Sequence, residues 1–567
     1  MGVSDYTAAM NLFFIIVFFC GYALLMWCWK TKQLDSFLRR FSILLDTIAG
    51  LPGGLGLWVV SFLSITFIRD FLENYFESPS GLLTWSVHLE FTLFWISLYF
   101  ALVILLRILT GEKILNVSKV VIFGWLVTFL PPIFDALFFW NSPFGMGYVA
   151  ENLWGNYLTF YGMSAINTGA TIGIRIEIVL AMIGGGLYVL VKTRGIVKAI
   201  LASWGIHTII YLHMALPAFW LVLSSYFHSP YVLKYPNDYS VLFIGGLTVL
   251  FPLYLYLVGK KELWNFVDNL ITSARNMHIK LHTQSVVILA RNIRPERLVH
   301  YVVLALLGIF IGIRYGKSLW LVLNVGQVIV LIGALTFAWL FIVAINDLFD
   351  VEVDKISNTD RPLIRKSISQ DEYRVYGAIF FVLSLTLASL ASYYALNFVF
   401  YFLVTYSFIY SSPPFRLKRF FLIPNILIGL CSLFAVLAGV SLVAGNSVFS
   451  IMPRNLAIYL FAIFTFASMI KDIKDIKGDA HDGIVTLPTL VGLQRAKQIM
   501  GLLIGLGFLS SVFIVKASFI PVAALVFAIV AYLVITKHGE RYVFLLWFGY
   551  ALLIFILLQP ALMVFEK

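Results

Sequence analysis

Hydrophobic positions along this chain gather into blocks of about 18 to 28 residues that recur over its whole length. Each block is long enough to cross a hydrocarbon core of roughly 30 Å as a helix that satisfies its own backbone hydrogen bonds. In the first half the pattern predicts seven spans, near 10–28, 41–68, 82–106, 120–140, 172–191, 199–225 and 240–259. The run 41–68 contains GLPGGLG at 50–56, a cluster that interrupts helices, so a broken or re-entrant pair is the alternative there. The second half predicts nine spans, near 300–316, 319–345, 375–396, 398–411, 421–444, 455–470, 498–515, 517–536 and 543–565.

Between the halves lies a more polar stretch carrying Lys260, Lys261, Arg275, Lys280, Arg291, Arg294 and Arg297, which reads as a linker with an interfacial amphipathic helix. The expected organisation is a membrane domain over 1–259, a linker over 260–289 and a second membrane domain over 290–567. The fold class is an all-α integral membrane protein of about 16 transmembrane helices, a nine-helix bundle preceded by a roughly seven-helix domain.

Composition supports the bilayer: 61% of residues are apolar, 16% aromatic and only 12% charged, where soluble domains carry about 25% charged residues. The net charge of +12 does not imply nucleic acid, because the Lys and Arg residues sit at the ends of apolar spans. Placing the N-terminus outside assigns most of the 40 Lys and Arg residues to cytoplasmic segments. That orientation gathers 346–374, 412–420, 471–497 and the linker on one cytoplasmic face of a multi-pass cell-membrane protein, with both termini external. The first apolar run is followed by Lys30, Lys32, Arg39 and Arg40 rather than a cleavage site, and reads as a retained helix. Cys20, Cys28 and Cys431 lie inside apolar runs without metal-ligand or disulfide spacing.

Chemistry concentrates at the ends of two spans. In Asn346-Asp347-Leu348-Phe349-Asp350-Val351-Glu352-Val353-Asp354, spacings of four place Asn346, Asp350 and Asp354 on one helical face, with Asp347 beside them as a further oxygen donor. In Lys471-Asp472-Ile473-Lys474-Asp475-Ile476-Lys477-Gly478-Asp479, offsets of three and seven align Asp472, Asp475 and Asp479. All-oxygen clusters without thiolate or imidazole suit Mg2+, which completes its octahedron with water and phosphate oxygens. A single such cluster is as well read as solvated loop residues; two on one face, at membrane depth, favour a metal site. Arg361, Arg416, Lys418, Arg419 and Lys471 are placed to take diphosphate charge, Arg361 and Lys418 foremost, with Arg294 facing the diphosphate or anchoring the interface.

The strings NDLFDVEVDKISNTDRP at 346–362, YSSPPFRLKR at 410–419 and KDIKDIKGDAHDGIVTLPTLVG at 471–492 resemble, in order and spacing, the three signature loops of the UbiA superfamily of intramembrane prenyltransferases. The resemblance covers the C-terminal half only. It implies a nine-helix bundle around a cavity, in which Asn346, Asp350, Asp354, Asp472, Asp475 and Asp479 hold Mg2+ on a polyprenyl diphosphate. Arg361 and Lys418 would contact phosphate oxygens, and Tyr410 and Ser411 would cap the cavity. Ionisation centred on Asp350, Asp475 and Lys418 would leave an allylic carbocation for capture by a lipid or aromatic acceptor. The third loop leans toward the ether-lipid and prenylquinone branches, whereas Leu363-Ile364-Arg365-Lys366-Ser367 replaces the Pro and Gly of the RPxPSG turn found there.

Residues 1–259 do not repeat these motifs. Glu90, Asp135, Arg175, Glu177, His207 and His213 stand within its apolar runs and form either a polar site or, for Arg175 with Asp135 or Glu177, a packing ion pair; two histidines six apart share no helical face well. Three whole-chain readings follow: a prenyltransferase with an accessory membrane domain, a fusion of two lipid-modifying enzymes, or a non-catalytic lipid-binding or transport protein.

Overall fold

A computed structural model describes residues 32–51, 55–76, 85–138, 153–158, 171–226, 236–259, 283–316, 324–473, 476, 484–514, 518–537, 546–547, 549–550 and 553. The chain divides into two compact units, Met1–Asn276 and Met277–Lys567. Among the described residues every regular element is helical, and 13 helices are long and apolar enough to cross a membrane. The spans expected near 10–28 and 543–565 fall wholly or largely outside the described residues.

The first unit opens with α1 (Lys32–Ala49) and α2 (Leu55–Phe76), so the run 41–68 is not one span. α1 ends at Ala49 with Gly50 in a turn, and α1 is amphipathic: Leu38, Leu45 and Ile48 are buried while Arg39 and Arg40 are exposed. The end of α1 exposes backbone carbonyls, and Lys119 answers them by donating to Ala49 O at 2.9 Å and Leu51 O at 3.4 Å. The other described helices are α3 (Trp85–Thr110), α4 (Ile114–Gly124), α5 (Leu130–Phe138), α6 (Leu153–Leu158), α7 (Ile172–Thr193), α8 (Ile196–Tyr226) and α9 (Pro236–Val258). At the start of α7, Thr171 accepts from Ile174 N and Asp135 of α5 accepts from Gly173 N at 2.8 Å. Only glycine fits at position 173, where a Cβ would lie 2.5 Å from Asp135 Oδ2 and 2.7 Å from Pro131 O.

The second unit comprises α10 (Thr283–Arg291), α11 (Pro295–Gly316), α12 (Val325–Phe349), α13 (Val351–Ser357), α14 (Gln370–Ala391), α15 (Tyr393–Val404), α16 (Ile423–Ala444), α17 (Arg454–Ala467), α18 (Leu487–Val491), α19 (Leu493–Ser510) and α20 (Ile520–Lys537). α16 is its axis, buried almost continuously from Leu427 to Ser441. It meets α11 backbone to backbone: a Cβ on Gly308 would stand 1.9 Å from Val436 O, and one on Gly439 would stand 1.9 Å from Ala305 O. Small residues at such crossings give lipid-embedded helices their close packing. α15 widens into a π-helical turn over Thr405–Ser411, which aims Tyr406, Tyr410 and Ser411 from one short segment.

Candidate active site

α12 does not continue through the first acidic motif. Asp350 has φ −106° and ψ 11°, closing α12 and opening α13, so Asn346, Asp350 and Asp354 are spread over two helices instead of forming one stripe. The break is bridged by Asp354 N donating to Asp350 O at 2.8 Å. It turns the Asp350 carboxylate toward the loop after α15. There Arg416 donates to Asp350 Oδ1 at 2.7 Å, and Lys418 meets both carboxylate oxygens while also reaching Asn346 Oδ1 at 3.3 Å. Ser411 donates to the same Asn346 oxygen at 3.3 Å. Arg416 is held in the left-handed region at φ 41°, a conformation non-glycine residues adopt at a cost and that clusters at functional sites.

Burial opposes ionisation of Asp350, but Lys418 and Arg416 outweigh it and hold the carboxyl below its ordinary value. Asp354 goes the other way: burial, then the nearby Asp347 and Asp350 charges, push it up to about 7. Crowded carboxylates of this kind are relieved by a divalent cation.

Asp347, expected among the oxygen donors, faces a different set of partners. Its carboxylate, only 1% exposed, accepts from Arg294 at 2.7 Å, Asn292 at 2.6 Å, Tyr373 Oη at 3.0 Å and Arg361. Four protein donors surround it, two of them arginines that it holds in place. Arg361 also approaches Asp354 at 3.9 Å. Arg294 sits at φ 55° and so, like Arg416, reaches its carboxylate from a left-handed backbone.

Of the second acidic motif, Asp472 is buried at the end of the helical run after α17, and Asp475 and Asp479 lie outside the described residues. Among the described residues no three His, Cys, Asp or Glu side chains converge closely enough to hold a metal ion. The donors that are described, Asn346, Asp350, Asp354 and Asp472, are all oxygen ligands of the kind Mg2+ takes.

Next to this centre lies a chamber of about 830 Å³, counting its open end. Its polar end carries Arg297, Ser468 and Lys471, and its walls are formed by apolar residues such as Phe464, Ile504 and Phe508. The chamber adjoins the carboxylates through the π-helical turn: Lys471 donates to Tyr410 Oη at 2.9 Å, and the adjacent Ser411 bonds Asn346. Tyr410 is thus tied to a cation. Sequence reasoning missed Asn292, Tyr373, His300 and Ser432; each is a polar residue in or beside an apolar span, which is the one signal that marked them.

In the first unit the buried polar groups close on one another. Arg69 pairs with Glu73 at 2.9 Å, Asp70 with His88, and the Asp135 carboxylate takes the Thr171 hydroxyl as well as Gly173 N. His207 bonds Tyr157 O and His213 bonds Ser97, each at 3.0 Å, so the two histidines turn to different partners. The sequence pattern passed over Arg69, Asp70, Glu73 and His88.

Residues 301–542 match the UbiA prenyltransferase family. The digeranylgeranylglyceryl phosphate synthase of Sulfurisphaera tokodaii is 30% identical over 178 residues, 31% of this chain and 59% of that protein. Its counterpart in Thermococcus kodakarensis is 32% identical over 180 residues, 32% of this chain and 60% of that protein. The chain thus spans about three fifths of the length of these curated relatives. Among solved structures, a UbiA homolog from Archaeoglobus fulgidus bound to DMAPP and Mg2+ is 18% identical, aligned over 47% of this chain and 95% of its own, with a TM-score of 0.38. An apo UbiA homolog from Aeropyrum pernix K1 is 19% identical over 46% of this chain and 98% of its own, also with a TM-score of 0.38. The family match does not extend into the first unit.

Proposed function

From the match of residues 301–542 to the UbiA prenyltransferase family, we propose that this chain transfers a prenyl group from an allylic polyprenyl diphosphate to a lipid acceptor within the membrane. The observation that carries the reading is the junction of an oxygen-and-cation centre, Asn346, Asp350, Arg416 and Lys418, with an apolar chamber. A diphosphate needs charge around it and an isoprenoid tail needs a water-poor compartment, and the two environments meet at the Tyr410–Lys471 contact.

Asn346, Asp350, Asp354 and Asp472, with Asp475 and Asp479, are the residues that would hold Mg2+. When bound, Mg2+ would neutralise charge accumulating on the departing diphosphate. Lys418 and Arg416, which rest on Asp350, would donate to the same diphosphate oxygens. Arg361 and Arg294, held by Asp347, present further N–H donors from fixed positions. Tyr301, Tyr406 and Phe464 give the chamber aromatic faces that tolerate an allylic carbocation. The acceptor branch is read from the relatives named digeranylgeranylglyceryl phosphate synthase, and the catalytic loops are assigned to the cytoplasmic face by the Lys and Arg distribution.

The test is release of diphosphate from geranylgeranyl diphosphate by the purified full chain, with a membrane-lipid extract as acceptor source. Mg2+-dependent release and a prenylated lipid are expected from the wild type, with Asp350→Asn slower by about 10³-fold, the scale of losing one electrostatic stabiliser of a transition state. Binding of the diphosphate with no release in any extract would overturn catalysis in favour of a carrier role.

A further inference from the structure

The charges of α1 are sorted by side. Its acidic residues turn to the body of the first unit: Asp46 accepts from Lys192 at 2.8 Å and Asp35 from Arg194 at 3.3 Å, while Lys192 also pairs with Glu112 at 3.4 Å. Its two arginines do the opposite. Arg39 and Arg40 are exposed, and among the described residues their side chains make no ion pair. Asp35 stands four residues before Arg39, the spacing of an intrahelical pair, yet it reaches across to Arg194 and leaves that guanidinium facing outward.

The helix lies where the spans end. Glu112 sits in the connection between α3 and α4, and Lys192 and Arg194 sit at the turn between α7 and α8, all four of them helices long and apolar enough to cross a membrane. Asp35 and Asp46 are eleven residues apart, about 16 Å along a helix, and both are received at the end of α7. α1 itself is not among those spans. It is laid over their ends, with Leu38, Leu45 and Ile48 buried against them.

The outer side mixes two kinds of group. Phe37, Ile43 and Leu44 are 47%, 66% and 49% exposed, and the arginines are interleaved with them, Arg39 one turn before Ile43 and Arg40 one turn before Leu44. Water disfavours the first kind and hydrocarbon the second. The boundary between lipid headgroups and acyl chains accommodates both, because an arginine stem lies along apolar groups while its head reaches the phosphate layer.

We infer that α1 binds the anionic phospholipid surface, Arg39 and Arg40 donating to headgroup phosphates while Phe37, Ile43 and Leu44 enter the upper acyl region. The planar guanidinium fork matches phosphate oxygens two at a time. Pairing Asp35 and Asp46 with the first unit's own cations removes the two charges on α1 that an anionic layer would repel. This inference is independent of the transferase reading.

The experiment places the full-length chain in nanodiscs of phosphatidylcholine alone or of phosphatidylcholine and phosphatidylglycerol in equal parts, and follows amide exchange over residues 36–47, with α7 as the control for folding. At low ionic strength α1 of the wild type is expected to open about 30-fold less often in the anionic discs, the scale of two basic residues drawn to an anionic surface. High salt should remove the difference, since exposed charges are screened. Arg39→Gln with Arg40→Gln should bring it to within about twofold, whereas Arg39→Lys with Arg40→Lys should keep most of it. Glycerophosphate free in solution, the same anion without the surface, should leave exchange in phosphatidylcholine discs unchanged. Exchange in the wild type that is indifferent to the headgroup would overturn the assignment and leave α1 as a packing element or the seat of a protein partner. A headgroup effect that survives the double glutamine change, or protection by free glycerophosphate, would overturn it equally.

Discussion

Both units bury ionisable side chains inside or beside apolar helices, where each uncompensated charge is expensive, and they settle that charge in opposite ways. In Met1–Asn276 the two described pairs buried on both sides are close in sequence, Glu73 four residues from Arg69 on the same helix and His88 following Asp70 by 18, while the distant pair Lys192–Asp46 stands at the surface. In Met277–Lys567 partners are drawn from far away, Asp350 meeting Arg416 and Lys418 at separations of 66 and 68 residues. Asp347 takes donors from α14, the segment before α11 and the loop after α13, while Asp354 stands among like charges. Local pairs neutralise charge and fix packing. A centre that collects cations and carboxylates beside a chamber fits the charged ligand proposed above.

The sharpest way to break this contrast is to remove a paired lysine from each unit. Lys418→Met is expected to slow Mg2+-dependent diphosphate release by about 10² to 10³-fold, as for loss of one transition-state donor. Lys192→Met removes a cation bonded to Asp46 at 2.8 Å in the first unit and should leave release within about twofold. Equal losses from the two variants would mean that the distinction between packing and ligand charge is wrong.

A smaller effect probes the first unit alone. Glu73→Ala removes the carboxylate 2.9 Å from Arg69, which is 1% exposed, and is expected to destabilise the purified protein by about 3 kcal/mol. The double change Arg69→Met with Glu73→Met replaces the pair with apolar volume and should return thermal stability to within about 1 kcal/mol of wild type. A double variant that stays folded but loses prenyl transfer would reassign the pair from packing to function.

The sequence located this contrast only in part, and the residues show why. Periodicity reports neighbours along a helix, so it found Asn346, Asp350 and Asp354 together. It did not find the break at Asp350, which depends on cations arriving from another segment. Asp347 is marked by its type and position, but its donors Asn292 and Arg294 stand 55 and 53 residues away, beyond any local pattern. The run 41–68 was read as a span on hydropathy. Its Gly and Pro break was visible, but the amphipathic character of α1 emerges only once that helix is taken from residue 32 instead of 41. His300 and Ser432 look like isolated polar residues in apolar spans, and only the fold brings them together across α11 and α16.

The smallest effect concerns that same break. The carbonyls at the end of α1 lack helical partners, and Lys119 of α4 supplies them while its ammonium lies 5.5 Å from the Trp58 ring centroid on α2. One residue thus ties three helices at the turn where a single span had been expected. Lys119→Met keeps the aliphatic stem and removes both hydrogen bonds and the cation–π contact, with an expected cost of about 1 to 2 kcal/mol. The loss should appear as a lower melting temperature and as faster amide exchange confined to residues 45–60, with prenyl transfer unchanged. Exchange unaltered in that segment would show that the end of α1 holds without Lys119, which would leave the first unit with one fewer half-buried cation assigned to packing.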